Sequence, residues 1–189
     1  MRIFLNDFKK EKKMAAAFLD RDGTLNRNIR GEYITKPDQF ELYSSAIPAL
    51  RMLTHKGYRI IVLSNHSGIG RGYMTERTAK DINFKMASQL KEAGIDLAGI
   101  YVCPHLPDAG CECRKPKTGL LDEALQDIKT DMKHSFIAGD SSGDMRLAAA
   151  AGLPGYLVLT GAGRHTASKM PEIRKFGTLL ALAKAMPQA

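Results

Sequence analysis

The stretch Phe18-Leu19-Asp20-Arg21-Asp22-Gly23-Thr24-Leu25-Asn26 decides the fold of this chain. The apolar run over residues 15–19 predicts a short buried strand, and two carboxylates follow where that strand would end. If the backbone leaves the strand after Asp20, both acids can face one reacting centre. One acid would then be a nucleophile and the other a general acid and base. The alternative is a plain turn, because Asp-Gly is a common turn dipeptide.

Apolar runs of strand length alternate with stretches of helical periodicity along the rest of the chain. Strands are predicted over residues 15–19, 58–63, 99–102, 134–138 and 155–159, and helices over 46–56, 75–93, 120–128, 144–151 and 179–185. This alternation predicts an α/β fold, a Rossmann-like parallel sheet with helices on both faces. Ligands bind beyond the carboxyl ends of the strands in such sheets. The polar residues expected there are Asp20, Ser64, Cys103 and Asp140.

Length and charge narrow the class of protein. The 189 residues predict one domain, and no apolar run is long enough to span a bilayer. Residues 1–13 carry five basic and two acidic residues and lack the apolar core of a secretory signal, so a cytoplasmic protein is expected. They are expected to be a disordered basic extension, or the product of an upstream start codon, before a single domain over 14–189. The net charge of +8 suits an anionic small substrate, whereas nucleic acid binding is not expected because no long basic run appears.

All three cysteines lie within eleven residues, beside a histidine. An odd count in a chain expected to be cytoplasmic argues against a purely disulfide framework. Cys103, His105, Cys111 and Cys113 supply the four ligands of a tetrahedral structural zinc. The alternative is three free thiols and a surface histidine. The remaining histidines are expected to be surface or packing residues: His55, His66, His134 and His165.

Four motifs resemble those of the haloacid dehalogenase superfamily of phosphohydrolases, and in the same order. The string from Asp20 to Leu25 resembles motif I, and Ser64 with Asn65 resembles motif II. Lys115, within Cys113-Arg114-Lys115-Pro116, resembles the motif III lysine. Gly139-Asp140-Ser141-Ser142-Gly143-Asp144 resembles motif IV. The resemblance covers essentially all of residues 14–160, so residues 14–189 are expected to be a single phosphatase domain.

The resemblance implies a role for each matching residue. Asp20 would attack phosphorus, and Asp22 would protonate the leaving oxygen and then deprotonate the hydrolytic water. Magnesium would be held by the Asp20 carboxylate, the Asp22 backbone carbonyl and Asp140, while Ser64 and Lys115 would bind the transferring phosphoryl group. Asp144 has two open interpretations: it would help hold the cation or Lys115, or it is an acid favoured by the helix dipole at a helix N-terminus.

The zinc loop narrows the resemblance to the D-glycero-D-manno-heptose 1,7-bisphosphate phosphatases and the related histidinol-phosphate phosphatases. The strings Ser64-Asn65-His66-Ser67-Gly68-Ile69-Gly70-Arg71-Gly72 and Gly31-Glu32-Tyr33-Ile34 follow the heptose enzymes, with His66 where glutamine is usual. The resemblance implies substrate-binding roles for Asn65, Arg71 and Arg114. The spacing of the motifs leaves no room for a large cap domain, so short loops are expected to cover the site.

The expected function is magnesium-dependent removal of the C7 phosphate of D-glycero-D-manno-heptose 1,7-bisphosphate through an aspartyl phosphate, in the synthesis of surface-carbohydrate (lipopolysaccharide core) precursors. The first alternative is a phosphatase for histidinol phosphate or another small molecule. A polynucleotide 3′-phosphatase and a zinc-dependent nucleic-acid-binding module are less favoured. The sequence leaves open the preferred anomer and the oligomeric state, with a monomer favoured.

Overall fold

The computed structural model describes residues 1–3, 12–28 and 33–189. The seven strands of its single sheet are, in chain order, β1 Arg2–Ile3, β2 Ala16–Leu19, β3 Arg59–Asn65, β4 Leu97–Cys103, β5 Phe136–Gly139, β6 Gly155–Val158 and β7 Lys175–Phe176. The α-helices are α1 Ala46–His55, α2 Ser67–Gly70, α3 Glu76–Glu92, α4 Gly119–Asp127, α5 Ser142–Ala150, α6 Gly163–Lys169 and α7 Leu179–Ala185. The helix start expected at Thr75 is confirmed, because the Thr75 hydroxyl accepts a hydrogen bond from the Thr78 amide.

The strand order β1-β4-β3-β2-β5-β6-β7 places β2 in the middle of the sheet. All neighbouring strands pair in parallel except β1, which runs antiparallel to β4. From β2 the chain moves outward through β3 and β4, then returns to the other side of β2 as β5. The carboxyl ends of β2 and β5 therefore flank the topological switch point, where doubly wound sheets bind their ligands. The predicted Rossmann-like parallel sheet is confirmed.

Side chains of β2 alternate between two apolar cores, one on each face of the sheet. Ala17 and Leu19 belong to one core and Ala16 and Phe18 to the other, and all four are fully buried. Residues from α1, α3 and α7 complete the first core: Leu50, Leu53, Ile82, Met86 and Leu182. Residues from α4 and α5 complete the second: Leu120, Leu121, Ala124, Leu147 and Ala148. Because β2 is held on both faces and both edges, the loop that follows it starts from a fixed point.

The structure describes residues 1–3, 12 and 13 of the extension that was expected over residues 1–13. Arg2 and Ile3 form the edge strand β1, and the Met1 amino group donates a hydrogen bond to the Val102 carbonyl at 2.9 Å. The Arg2 guanidinium pairs with Glu123 at 2.9 Å. Residues 4–11 of the expected extension lie outside the described residues.

The site side of the sheet carries short connections. The described part of residues 20–45 contains one 3₁₀ turn, Pro37–Gln39, as its longest helical element, and residues 104–118 form a loop. The expectation that no large cap domain is present therefore holds for the described residues. Among all the described residues, no helix combines the length and apolarity needed to cross a membrane.

Candidate active site

Three buried carboxylates meet at the switch point of the sheet. Asp20 follows β2, Asp140 follows β5, and Asp144 lies in the first turn of α5. Carboxylate oxygens of all three lie within 4.8 Å of one another. The Asp20 amide donates to the Ala138 carbonyl at 2.9 Å, so the ladder between β2 and β5 continues into the site and fixes the backbone there.

Lys115 places one positive charge among these three acids. Its Nζ lies 2.6 Å from Asp20 Oδ1 and 2.7 Å from Asp144 Oδ1, and donates to the Leu63 carbonyl at 2.6 Å. Burial raises the pKa of Asp20 well above its usual range, Asp144 and Asp140 add to the rise, and Lys115 opposes it. Burial also raises the pKa of Asp140 to about 7. The cluster is therefore short of positive charge, which fits a hard divalent cation with oxygen ligands.

Asp144 satisfies both interpretations left open by the sequence. Its Oδ2 accepts hydrogen bonds from the Ser141 amide at 3.0 Å and the Ser141 hydroxyl at 2.6 Å, completing a capping box at the start of α5. Its Oδ1 pairs with Lys115. The Asp144 carboxylate thus caps the N-terminus of α5 and also pairs with Lys115.

Two glycines allow two loops to pack closely against the Asp140 carboxylate. Asp140 Oδ2 accepts a hydrogen bond from the Ala162 amide at 2.7 Å, in the loop after β6. Gly23 has φ +86°, and a Cβ on Gly23 or on Gly161 would collide with the Asp140 carboxylate. The two loops can therefore pack on either side of Asp140 only because both positions lack a side chain.

Arg21 and Asn26 bind the Asp22 carboxylate. Arg21 Nη2 lies 2.8 Å from Asp22 Oδ2, and Asn26 Nδ2 donates to Oδ1 at 3.0 Å. Burial alone would raise the pKa of Asp22, but Arg21 and the Asn26 hydrogen bond outweigh it and lower the pKa. Arg21 and Asn26 therefore hold Asp22 in its ionised form.

Ser64 lies at the carboxyl end of β3, next to β2. The residue is 1% exposed, and its hydroxyl has no hydrogen-bond partner among the described residues. A buried hydroxyl without a partner costs free energy, so this position calls for a bound polar group. A phosphoryl oxygen held between Ser64 and Lys115 would satisfy it.

Asn65 binds the backbone of Lys115 in both directions. Its Oδ1 accepts from the Lys115 amide at 3.1 Å, and its Nδ2 donates to the Lys115 carbonyl at 3.1 Å. The sequence predicted a substrate-binding role for Asn65. In the structure, both the oxygen and the nitrogen of this amide bond to the backbone of the loop that carries Lys115. Asn65 also lines the cavity described next.

An open cavity of about 140 Å³ lies beside the Asp22 carboxylate. Its walls include Arg21, Asp22, Asn28, Tyr33, Asn65 and His66. His66 was predicted to be a surface or packing residue, and its ring is buried at this wall, with Nε2 3.5 Å from Asp22 Oδ2. Burial lowers the pKa of His66 to about 3, so its imidazole is neutral. Family motif matching gave His66 no role because this position differs from the usual residue.

Two arginines were predicted to bind substrate. Neither is among the described residues that line the cavity. Arg71 is exposed, and its Nε donates to the Tyr33 hydroxyl at 3.2 Å. Arg114 Nη1 donates to the Ser67 hydroxyl and to the His105 carbonyl, both at 3.2 Å. Of the loop string from Gly31 to Ile34, Gly31 and Glu32 lie outside the described residues.

The cysteine loop brings its four predicted ligands together at the end of β4. Cys111 Sγ lies 3.7 Å from both Cys103 Sγ and Cys113 Sγ, and His105 Nδ1 lies 3.2 Å from Cys113 Sγ and 3.6 Å from Cys103 Sγ. A zinc ion with Zn–S bonds of about 2.3 Å has ligand sulfurs about 3.8 Å apart in a tetrahedron. The spacing of these side chains is therefore compatible with a zinc site.

Comparison with known proteins agrees with this geometry. A family model described as "Polynucleotide kinase 3 phosphatase" matches residues 15–170. The D-glycero-beta-D-manno-heptose-1,7-bisphosphate 7-phosphatase of Neisseria meningitidis serogroup B is 33% identical over 180 residues, which cover 93% of this chain and 96% of the relative. The D-glycero-alpha-D-manno-heptose-1,7-bisphosphate 7-phosphatase of Photorhabdus laumondii is 37% identical over 157 residues, covering 79% and 85%.

A solved structure gives the same result. The D,D-heptose 1,7-bisphosphate phosphatase of B. bronchiseptica, crystallised with magnesium and phosphate, superposes with a TM-score of 0.84 at 33% identity and covers 90% of this chain and 97% of its own. The resemblance seen in the sequence motifs is confirmed. This chain belongs to the haloacid-dehalogenase-like heptose 1,7-bisphosphate phosphatase family.

Proposed function

We propose that this protein is a magnesium-dependent phosphatase that removes the C7 phosphate of D-glycero-D-manno-heptose 1,7-bisphosphate through an aspartyl phosphate on Asp20. One observation carries the proposal: the Asp20 carboxylate lies at the end of the central strand, 2.6 Å from Lys115 and within 4.8 Å of the other acids. A nucleophile needs such a fixed position and a nearby positive charge to meet an anionic phosphate. The proposed substrate is taken from the names of the similar proteins.

The residues present fit magnesium. The carboxylates of Asp20 and Asp140 would hold it together with the backbone carbonyl of Asp22, all of them oxygen ligands of the kind that magnesium prefers. Bound there, magnesium lets an anionic carboxylate approach an anionic phosphate and stabilises the charge of the transition state.

The phosphoryl group moves twice in the proposed mechanism. An Asp20 oxygen attacks phosphorus and the bond to the sugar oxygen breaks, while Asp22 donates a proton to that oxygen. Ser64 and Lys115 hold the phosphoryl oxygens. Water then attacks the aspartyl phosphate, Asp22 takes a proton from the water, and inorganic phosphate leaves with Asp20 restored as a carboxylate.

Arg114 and Arg71 are proposed to recognise the rest of the substrate. Arg114 is held by the His105 carbonyl and Arg71 by the Tyr33 hydroxyl, so both guanidinium groups have fixed anchors near the cavity. A bidentate guanidinium suits the second phosphate of a sugar bisphosphate. Asn65 contributes by holding the backbone of Lys115.

Zinc is proposed to be structural. Four protein ligands leave no open position for water or substrate, and the carbonyl of the ligand His105 holds Arg114. Thiolate ligands persist in a reducing compartment, which supports a cytoplasmic enzyme. We further propose that residues 14–189 form one phosphatase domain that works in the synthesis of surface-carbohydrate (lipopolysaccharide core) precursors.

The description of the matching family model favours a second candidate substrate, a 3′-phosphorylated nucleic acid end. The net charge of +8 and the open site would admit one. Steady-state kinetics on a panel of esters tests both proposals: the α and β anomers of heptose 1,7-bisphosphate, fructose 1,6-bisphosphate, histidinol phosphate and a 3′-phosphorylated oligonucleotide. We expect the highest kcat/KM with a heptose bisphosphate. A higher value with histidinol phosphate or the oligonucleotide would replace the proposed substrate.

A further inference from the structure

Arg21 is a buried cation that the proposed mechanism does not use. It lies between the two acids of the first motif, and the residue is only 1% exposed. A guanidinium shut off from water must have its donors bonded and its charge compensated, otherwise burial is strongly unfavourable. Its partners therefore indicate what it does.

Among the described residues, the side-chain partners of Arg21 are one acid and one amide. Arg21 Nη2 donates to Asp22 Oδ1 at 2.9 Å and to Oδ2 at 2.8 Å, and Nε donates to Oδ1 at 3.2 Å. On the other side, Nη1 donates to the Asn83 Oδ1 atom at 2.9 Å. The guanidinium is planar and rigid, so an anchor on Nη1 fixes the fork that holds the Asp22 carboxylate.

Asn83 is an exception on its helix. It is fully buried on α3, among the apolar residues Ala79, Ile82, Met86 and Leu90. Its Nδ2 atom has no hydrogen-bond partner among the described residues, which makes the position unfavourable for stability. The Asn83 amide accepts a hydrogen bond from Arg21, and Arg21 in turn donates to Asp22 in the site.

We infer that Asn83 and Arg21 are positioning residues for the general acid and base: Asn83 orients Arg21, and Arg21 orients the Asp22 carboxylate toward the open cavity. This inference rests on the proposed role of Asp22. Asp22 must reach the leaving oxygen in one step and a water in the next, and proton transfer requires hydrogen-bond distance. A carboxylate free to rotate would lose that alignment, and a misplacement of about 1 Å can lower a rate about 10²-fold.

Two substrates separate positioning from a general structural role. Heptose 1,7-bisphosphate has an alkoxide leaving group that must be protonated. The leaving group of 4-nitrophenyl phosphate is 4-nitrophenolate, which is stable without a proton. For both Asn83→Leu and Arg21→Lys, kcat/KM on the bisphosphate should fall about 10–100-fold. On the aryl ester it should fall less than about threefold, because protonation of that leaving group contributes little.

Two matched variants serve as controls. Ile82→Val changes the neighbouring buried residue of α3 and should leave the ratio of the two kcat/KM values unchanged. Asn83→Asp keeps an acceptor oxygen toward Arg21 and should bring the ratio closer to wild type than Asn83→Leu does. If one of the two test variants fails to fold, the other still reports the ratio.

Asp22→Asn is the reference that separates this inference from the proposed function. If Asp22→Asn changes the ratio but Asn83→Leu and Arg21→Lys lower both kcat/KM values equally, or neither, the positioning role is wrong. If Asp22→Asn itself leaves the ratio unchanged, the proposed acid and base role of Asp22 fails instead. A selective loss in all three variants would establish the chain of contacts from Asn83 to Asp22.

Discussion

Two clusters of candidate metal ligands lie at the same edge of the sheet, and they are built in opposite ways. The carboxylate cluster of Asp20, Asp140 and Asp144 is buried, and its members follow two central strands or begin the helix after β5. The cysteine cluster of Cys103, His105, Cys111 and Cys113 has one buried member, Cys103, at the end of β4, and the rest lie in a loop over residues 104–118.

The difference concerns what holds each cluster when no metal is bound. Lys115 ties Asp20 to Asp144 and is itself held by Leu63 and Asn65, so the carboxylate cluster has protein partners of its own. The cysteine loop has no strand or helix over residues 104–118. Structural zinc is worth roughly 10–16 kcal/mol in small peptides, far more than is needed to order such a loop.

The boundary between the two regions falls between adjacent residues. Lys115 belongs to the carboxylate cluster, whereas Arg114 is held by the carbonyl of His105, a proposed zinc ligand. Loss of zinc should therefore disturb substrate recognition by Arg114 more than phosphoryl transfer at Lys115. The predictions below test this division, from the largest expected effect to the smallest.

Asp20→Asn should reduce turnover to background, a loss of at least about 10⁴-fold, because an amide is neither a nucleophile nor a good magnesium ligand. The fold should be retained, since the amide fits the same space and Lys115 keeps its bond to Asp144. Kinetics and thermal unfolding measured on one sample check both statements. Asp108→Asn, an exposed loop position, is the matched control. Substantial activity in Asp20→Asn would rule out the aspartyl phosphate.

Removal of magnesium should lower kcat/KM by about 10³-fold or more, because the cation supplies several kcal/mol of charge stabilisation and each 1.4 kcal/mol is a factor of ten. Calcium should not restore activity, since it takes more ligands at longer distances and would engage both oxygens of the Asp20 carboxylate, one of which has to attack phosphorus. Zinc content, measured on the same samples, should stay constant. Full activity in calcium with magnesium chelated would contradict the proposed site.

Arg114→Ala should lower kcat/KM on the sugar bisphosphate by about 10–100-fold, since a charge-assisted hydrogen bond contributes about 1.5–3 kcal/mol. The effect on 4-nitrophenyl phosphate should be severalfold smaller, because that ester lacks the second anionic group. Lys117→Ala removes an exposed cation from the same loop and should affect neither substrate. Equal losses on both esters would place Arg114 in phosphoryl transfer and erase its distinction from Lys115.

Cys111→Ser should have the smallest effect, a decrease in kcat/KM of about tenfold or less on the bisphosphate, with little change on the aryl ester. Zinc content should fall and proteolysis within residues 104–113 should increase, because the loop loses a metal ligand. Asp108→Ala, in the same loop but not a ligand, is the control. A zinc-free variant with an ordered loop and unchanged kinetics would show that zinc does not hold Arg114.

The fold and the acids of the site could be predicted because their signals are local. Apolar runs mark β2 to β6, and each chemical residue directly follows such a run or lies in a matching motif. The two-residue edge strand β1 is too short for any periodicity. Helix α6 was missed because its buried positions, Gly163 and Thr166, do not form an apolar stripe.

The support of Asp22 could not be predicted from the sequence, because it depends on contacts between distant segments. Sixty-two positions separate Arg21 from Asn83, and Asn83 belongs to none of the motifs found in the sequence. His66 is similar: its burial against Asp22 follows from the turn after β3 and not from its own pattern. Distances between layers of the fold were needed to connect these residues to the site.

The central claim is that Asp20 removes the C7 phosphate and leaves the C1 phosphate in place. ³¹P nuclear magnetic resonance can follow both phosphates of heptose 1,7-bisphosphate during incubation with wild-type protein and with Asp20→Asn, in magnesium. The account predicts that the C7 signal is replaced by inorganic phosphate with the wild type only, while the C1 signal persists. Loss of the C1 phosphate first, or equal release by Asp20→Asn, would contradict it.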